Sequence, residues 1–198
     1  IRTFGELKAA DYMKAPGTHT TEPVAGSEIT FDGQKLSVIL IAIIIPFFIG
    51  GEKLFGLLWE GKPRILEVDI PTWTKYVAVL LAIVLHELIH GLVFAFYAPN
   101  GLRAIKFGAS LQMGAIYCHC KDPVKVKYYR RAGIAPLLIL GIVPWVFALI
   151  TGVHWINTLG LLMTIGGFGD LLIWFKLLGY NRNMLIRDHP EKLGFIIE

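Results

Sequence analysis

Only two cysteines, Cys118 and Cys120, occur in 198 residues. One residue apart, they are poorly spaced to bond to each other, and no disulfide framework of a small secreted fold can be drawn. Charge is also scarce, at 17% of residues. Acidic residues vanish over long stretches: after Glu87 come only Asp122, Asp170 and Asp188 before Glu191 and Glu198. No glycine-rich loop leads into a helix as phosphate binding would need, and no Ser or Cys nucleophile has a recognisable base partner. Nucleotide-dependent and triad-type chemistry are therefore not expected. Residues 1–35 contain no apolar core segment, so no signal peptide is expected there.

What is abundant is apolar side chain: 55% of the residues, with a mean hydropathy of +0.58. Soluble domains of this length rarely reach such values. The net charge of +4 and pI near 9.1 could suggest nucleic acid as a partner. The placement of the charges argues for a lipid bilayer instead. Four membrane spans are expected, at about 36–54, 74–98, 132–153 and 158–178. Fifteen of the 19 Lys and Arg then fall in the amino-terminal stretch, the 99–131 connection and the carboxyl-terminal stretch, all on one side. Such a bias marks the cytoplasmic face, so both termini are expected there and no nucleic acid is needed to explain the charge. Cys118 and Cys120 would then be free thiols on the reducing side.

Residues 1–35 read as a polar cytoplasmic tail, with a short helix near Phe4–Met13 and a turn at Asp32-Gly33. Residues 36–198 read as one transmembrane body. Between Arg103 and Cys120 the period changes. Ile105, Phe107, Ala109, Leu111, Met113, Ala115 and Tyr117 share one parity, while Lys106, Ser110 and Gln112 fall on the other. That is a half-buried strand pattern, with Gly108 and Gly114 as bends. The expected fold is a membrane all-α bundle of about four transmembrane helices, with a small β-hairpin segment at the cytoplasmic side.

The second span carries His86-Glu87-Leu88-Ile89-His90. On a helix, positions i and i+4 share a face, so both imidazoles can point at one metal ion. Glu87 sits beside them as a candidate base for a metal-bound water. No other charge lies between Val77 and Asn100. Ionisable groups in such surroundings are costly, and their presence marks function. Two His and a third ligand with an open position suit zinc, and H-E-x-x-H on a helix points to metal-assisted peptide hydrolysis.

The third ligand must come from elsewhere. The metzincin extension fails, because Val93 and Phe96 stand where Gly and His are required. A downstream glutamate fails too, since only Glu191 and Glu198 remain. The candidates are Asp170, Asp188, His119, His154 and His189. Asp170 is favoured. It lies deep in the fourth span beside Gly166, Gly167 and Gly169, and no basic residue of the third or fourth span lies at its depth. At about 1.5 Å per residue, His90 and Asp170 each stand roughly 12 Å from the cytoplasmic end of their spans.

An H-E-x-x-H on one membrane helix and a Gly-flanked Asp on a later one resembles the site-2 protease class of intramembrane metalloproteases. The chain is more closely similar to a zincin-peptidase family of small bacterial membrane proteins. The shared pieces are His86–His90, the segment ending in Tyr117-Cys118-His119, Ala135-Pro136, Gly169-Asp170 and Asp188-His189-Pro190. The resemblance covers about residues 75–198. Gly169-Asp170-Leu171 departs from the Leu-Asp-Gly usual in the site-2 class.

The resemblance implies a multi-pass protein of a bacterial inner or cytoplasmic membrane, holding one Zn2+ per chain through His86, His90 and Asp170. Glu87 would be the general base, and membrane-protein or peptide segments the substrates. His119, at the end of the strand-like segment, is a candidate contact to substrate or to a developing oxyanion. The alternative is a non-catalytic zinc-binding membrane scaffold or regulator. Glu87 argues against it, because binding alone does not need that carboxylate.

Overall fold

The computed structural model describes residues 26–31, 33–66, 68, 70–110, 115–189 and 194–198. The expected helix near Phe4–Met13, the turn residue Asp32 and the bend at Gly114 lie outside them. In chain order the elements are β1 (Glu28–Thr30), α1 (Gly33–Trp59), α2 (Thr72–Tyr97), β2 (Ile105–Ser110), β3 (Ala115–Cys120), β4 (Val124–Lys125), α3 (Val126–Pro136), α4 (Val143–Thr151), α5 (His154–Gly166), α6 (Phe168–Lys176), β5 (Leu185–Asp188) and β6 (Gly194–Ile197).

Three helical stretches are long and apolar enough to cross a bilayer: Leu40–Trp59, Thr72–Tyr97 and Val126–Thr151. Their outward side chains are apolar and uncovered, as at Leu57 (76% exposed) and Phe96 (81%). In water this would be an aggregation hazard; against lipid it is the low-energy arrangement. The third stretch joins α3 to α4 through a π-helical turn at Leu137–Ile142, immediately after Pro136. Pro136 brings no N–H to the ladder, and the wider turn absorbs the mismatch. Pro144 falls in the first turn of α4, where a missing N–H costs little.

A fourth crossing is formed by α5 and α6 only if the two are taken together, because they meet at an angle of 41°. The break is at Gly167, whose backbone leaves the helical region at φ −82°, ψ 2°. Asp170 consequently sits in the first turn of a new helix. There the unpaired N–H groups of a helix start favour a carboxylate.

Small residues bring α5 against its neighbours. A Cβ on Gly160 would lie 2.6 Å from the Trp145 backbone nitrogen, and one on Gly141 would lie 2.6 Å from Thr164 Oγ1. In lipid no hydrophobic force drives helices together, so such close packing carries the association. At the end of α1 away from the sheets, Glu52 accepts from His154, Asn157 Nδ2 and Thr158 Oγ1 and ties α1 to α5.

The β content exceeds the single hairpin read from the sequence. β2 and β3 do form an antiparallel pair, with Lys106 opposite His119 and Gly108 opposite Tyr117. A second, four-stranded antiparallel sheet has the order β1-β6-β5-β4. It joins the strand before α1 to the two strands after α6. The packed core lies at this end of the bundle, where Phe94, Val126, Ala132, Leu177, Ile186 and Phe195 are buried together.

Gly160→Val should lower stability by about 1–3 kcal/mol through overpacking against the Trp145 backbone. Gly133→Ala, where a Cβ meets nothing within 4 Å, should not. Thermal unfolding of the two variants in detergent compares them directly.

Candidate metal centre

Helix α2 presents His86 and His90 one turn apart, both buried. The broken α5–α6 pair delivers Asp170 opposite them. Three ligand atoms converge: His86 Nε2 is 3.1 Å from His90 Nε2, and Asp170 Oδ2 is 3.2 Å from the first and 3.3 Å from the second. The three atoms form a nearly equilateral triangle. Zinc bound tetrahedrally at about 2.0–2.1 Å separates its ligands by about 3.3–3.4 Å, so the triangle has the size of one face of that polyhedron.

The hydrogen bonding points the same way. His90 Nδ1 lies 2.8 Å from the Ala132 carbonyl oxygen, which can only accept. Nδ1 therefore carries the proton, and Nε2 of the neutral ring is left with a bare lone pair. That lone pair faces a carboxylate oxygen and a second imidazole nitrogen. A bare nitrogen lone pair and a carboxylate at this spacing, with a second imidazole beside them, fit a cation at their centre. His86, His90 and Asp170 are a cluster capable of coordinating a metal ion.

A family model described as "Putative zincin peptidase" matches residues 79–185, more than half of the chain. The chain belongs to this zincin-peptidase family. The matched stretch runs from α2 to the first residue of β5, so all three residues of the cluster lie within it. No curated protein and no solved structure matches the chain.

Of the five residues weighed as a third ligand, Asp170 is the one in the cluster. The other four have different partners. His154 pairs with Glu52 at 2.9 Å, at the far end of the bundle. His189 lies 3.3 Å from Glu28 on β1. Asp188 accepts from the Cys120 N–H at 2.7 Å and from the Tyr129 hydroxyl. His119 Nδ1 is 3.8 Å from Asp188 Oδ2.

Glu87 is half-buried, close enough to both His and Asp170 to feel their charge, and the backbone N–H of Cys118 is near its carboxylate. The hairpin can approach this closely because Gly91 follows His90: a Cβ there would lie 2.5 Å from Phe107 Cζ. The register explains why the Cys118 N–H is available. Lys121 N donates to Ala104 O, so 115, 117, 119 and 121 turn their backbone groups toward β2. Positions 116, 118 and 120 turn theirs to the outer edge. Asp188 takes the N–H of Cys120, Glu87 lies near that of Cys118, and no strand among the described residues pairs with that edge.

One contributor left no signal in the sequence, and another was weighed there only as a candidate ligand. The Ala132 carbonyl is backbone and carries no side-chain mark. Asp188, from a polar carboxyl-terminal stretch, is largely covered, and burial pushes its carboxyl above the usual range against the pull of its two donors.

Burial, with the Asp188 carboxylate next, pushes the Cys120 thiol up to about 12. Burial first, then Asp188 and Glu87, raises Cys118 as well. A thiolate is the reactive species, so neither residue should be alkylated by iodoacetamide at pH 8 in the folded protein. Both should react after denaturation. Mass spectrometry of the labelled chain checks this, and rapid native labelling of Cys120 would contradict the packing around Asp188.

Proposed function

We propose that this zincin is an intramembrane zinc metalloendopeptidase of the site-2 protease kind, hydrolysing peptide bonds of membrane-associated proteins near the cytoplasmic face. The observation that carries the reading is the convergence of three potential ligand atoms with the Glu87 carboxylate beside them. His86, His90 and Asp170 would hold one Zn2+ per chain. That ion supplies a Lewis acid for the scissile carbonyl and lowers the pKa of water. Ala132 keeps His90 in the tautomer that presents Nε2. Glu87 takes the proton of the attacking water and later hands it to the departing amine nitrogen. The Cys118 N–H holds the carboxylate in place before reaction.

A peptide bond inside a helix is shielded, so a substrate must be drawn out before it can be cut. The outer edge of β3 supports such a step. Ile116 offers an N–H and a C=O there, two residues from the Cys118 N–H that meets Glu87. An extended substrate segment pairing with this edge would be gripped through main-chain bonds with weak sequence preference. His119 remains a candidate contact for substrate, steadied by Asp188. The excess of Lys and Arg at the sheet end supports a cytoplasmic placement of both termini and of residues 1–35, in a bacterial inner or cytoplasmic membrane.

Purified protein should hold about one zinc per chain, and His86→Ala, His90→Ala and Asp170→Ala should each lose most of it. Glu87→Gln should keep the zinc and lose about 10²–10⁴-fold in cleavage, the usual worth of a general base. Membrane fractions from cells carrying the wild type and Glu87→Gln, compared by proteomics, supply the substrates. Identical membrane proteomes with equal zinc would leave a non-catalytic scaffold.

Ile116→Pro tests the edge separately. It removes one outward N–H without touching the β2 ladder, and should lower cleavage while zinc content stays constant. Unchanged cleavage would dispose of the strand grip and leave the metal centre standing.

A further inference from the structure

A second concavity lies away from the metal centre, at the sheet end of the bundle. It is a cleft of about 420 Å³ lined by Lys127, Tyr128, Arg131, Arg182 and Asn183. Three of its five residues are cations and none is acidic. They come from two distant parts of the chain: Lys127 and Arg131 from the first turns of α3, and Arg182 from the turn between α6 and β5. Two backbone bonds fasten these parts together, Val126 N to Met184 O and Lys127 N to Arg182 O. The convergence is therefore a property of the fold.

Two other cations at this end are engaged elsewhere. Arg130 lies over the Trp174 ring at 4.6 Å, and Arg187 pairs with Glu198 at 2.9 Å. Among the described residues, no carboxylate makes an ion pair with Lys127, Arg131 or Arg182. Two of the three are instead set against aromatic faces. Tyr97 and Tyr128 stack at 4.1 Å with their planes 8° apart. Lys127 Nζ lies 5.0 Å from the centre of the Tyr128 ring, and Arg131 lies 5.9 Å and 5.7 Å from the two rings. Arg131 Nη1 also donates to the Tyr97 hydroxyl at 3.1 Å. These contacts fix the cations without neutralising them.

The level of the cleft identifies the class of ligand. Tyr97 is the last residue of one membrane-spanning helix, and Tyr128 lies in the first turn of another. Tyrosines at span ends mark the headgroup layer. Arg131 is about 7.5 Å along the helix from Val126, at the boundary between headgroups and chains. We propose that the cleft binds the phosphate of an anionic phospholipid headgroup, with Lys127, Arg131 and Arg182 around the phosphate and Tyr128 and Asn183 supplying neutral polar groups. The acyl chains would lie on the uncovered apolar side chains below. Interfacial basic pockets suit this ligand, because a planar guanidinium matches phosphate oxygens in pairs.

The test uses the full chain, purified in mild detergent, with bound lipid counted by native mass spectrometry. The probes are phosphatidylglycerol, phosphatidylcholine and inorganic phosphate. The wild type should retain phosphatidylglycerol well above phosphatidylcholine. Arg182→Gln, on an exposed turn, should reduce that preference about five-fold, and Lys127→Gln/Arg131→Gln/Arg182→Gln should abolish it. Arg103→Gln/Lys106→Gln/Lys121→Gln removes the same charge from the same end and should leave the preference within about two-fold of wild type. Equal losses in the two triple variants would mean diffuse surface attraction and overturn the proposal. So would inorganic phosphate displacing the lipid at millimolar concentration, which would assign the cleft to a soluble phosphate ligand. Zinc content, read on the same samples, should not change in any variant.

Discussion

The bond from His90 Nδ1 to the Ala132 carbonyl governs what the centre of this bundle can be. It links α2 to α3 at a position where Ala132 is fully buried. A larger side chain there would push the two helices apart. It also sets the tautomer of His90, so that the ring presents an acceptor toward the Asp170 carboxylate and the His86 ring. The His90 lone pair and the Asp170 carboxylate oxygen, 3.3 Å apart, repel one another unless positive charge lies between them. The packing of two helices and the demand for a cation thus trace to one backbone carbonyl.

The remaining structure holds that arrangement at the right place. The break at Gly167 turns the chain so that Asp170 begins a helix rather than lying in the middle of one. The hairpin closes on α2 over Gly91, bringing β3 beside Glu87. Asp188 then fixes β3 from its other end by taking the Cys120 N–H, and it holds α3 through Tyr129. Because β5 continues into the four-stranded sheet, the two ends of the chain brace the strand that faces the centre. A carboxylate in a carboxyl-terminal strand, outside the family match, so helps to position groups within it.

The cluster was legible because helices obey simple arithmetic. His86 and His90 share a face by spacing alone, and flanking glycines together with equal depth favoured Asp170 among five candidates. The hairpin was legible from its period-two pattern. The four-stranded sheet was not: β1 and β4 have three and two residues, and β1 pairs with a strand at the opposite end of the sequence. Strands that short show no period, and their partner is set by tertiary packing. The role of Ala132 was invisible because any residue has a carbonyl. His119 was weighed as a contact to chemistry, and Asp188 as a metal ligand; the structure instead sets them 3.8 Å apart, with Asp188 holding β3 and Tyr129.

Among the described residues a second carboxylate–histidine cluster lies at the far end of the bundle, and the contrast with the first shows why only one calls for a metal. Glu52 stands among His154, Asn157 and Thr158, three side chains that can each donate to it. A carboxylate with three donors is satisfied by the protein itself, and the result is a tie between α1 and α5. Asp170 faces two imidazole nitrogens, and one of them has had its proton directed elsewhere. The residue types are nearly the same: a carboxylate, histidine and buried neighbours. What separates a structural knot from a candidate metal centre is the direction in which the hydrogens point, and in this chain that direction is set by Ala132.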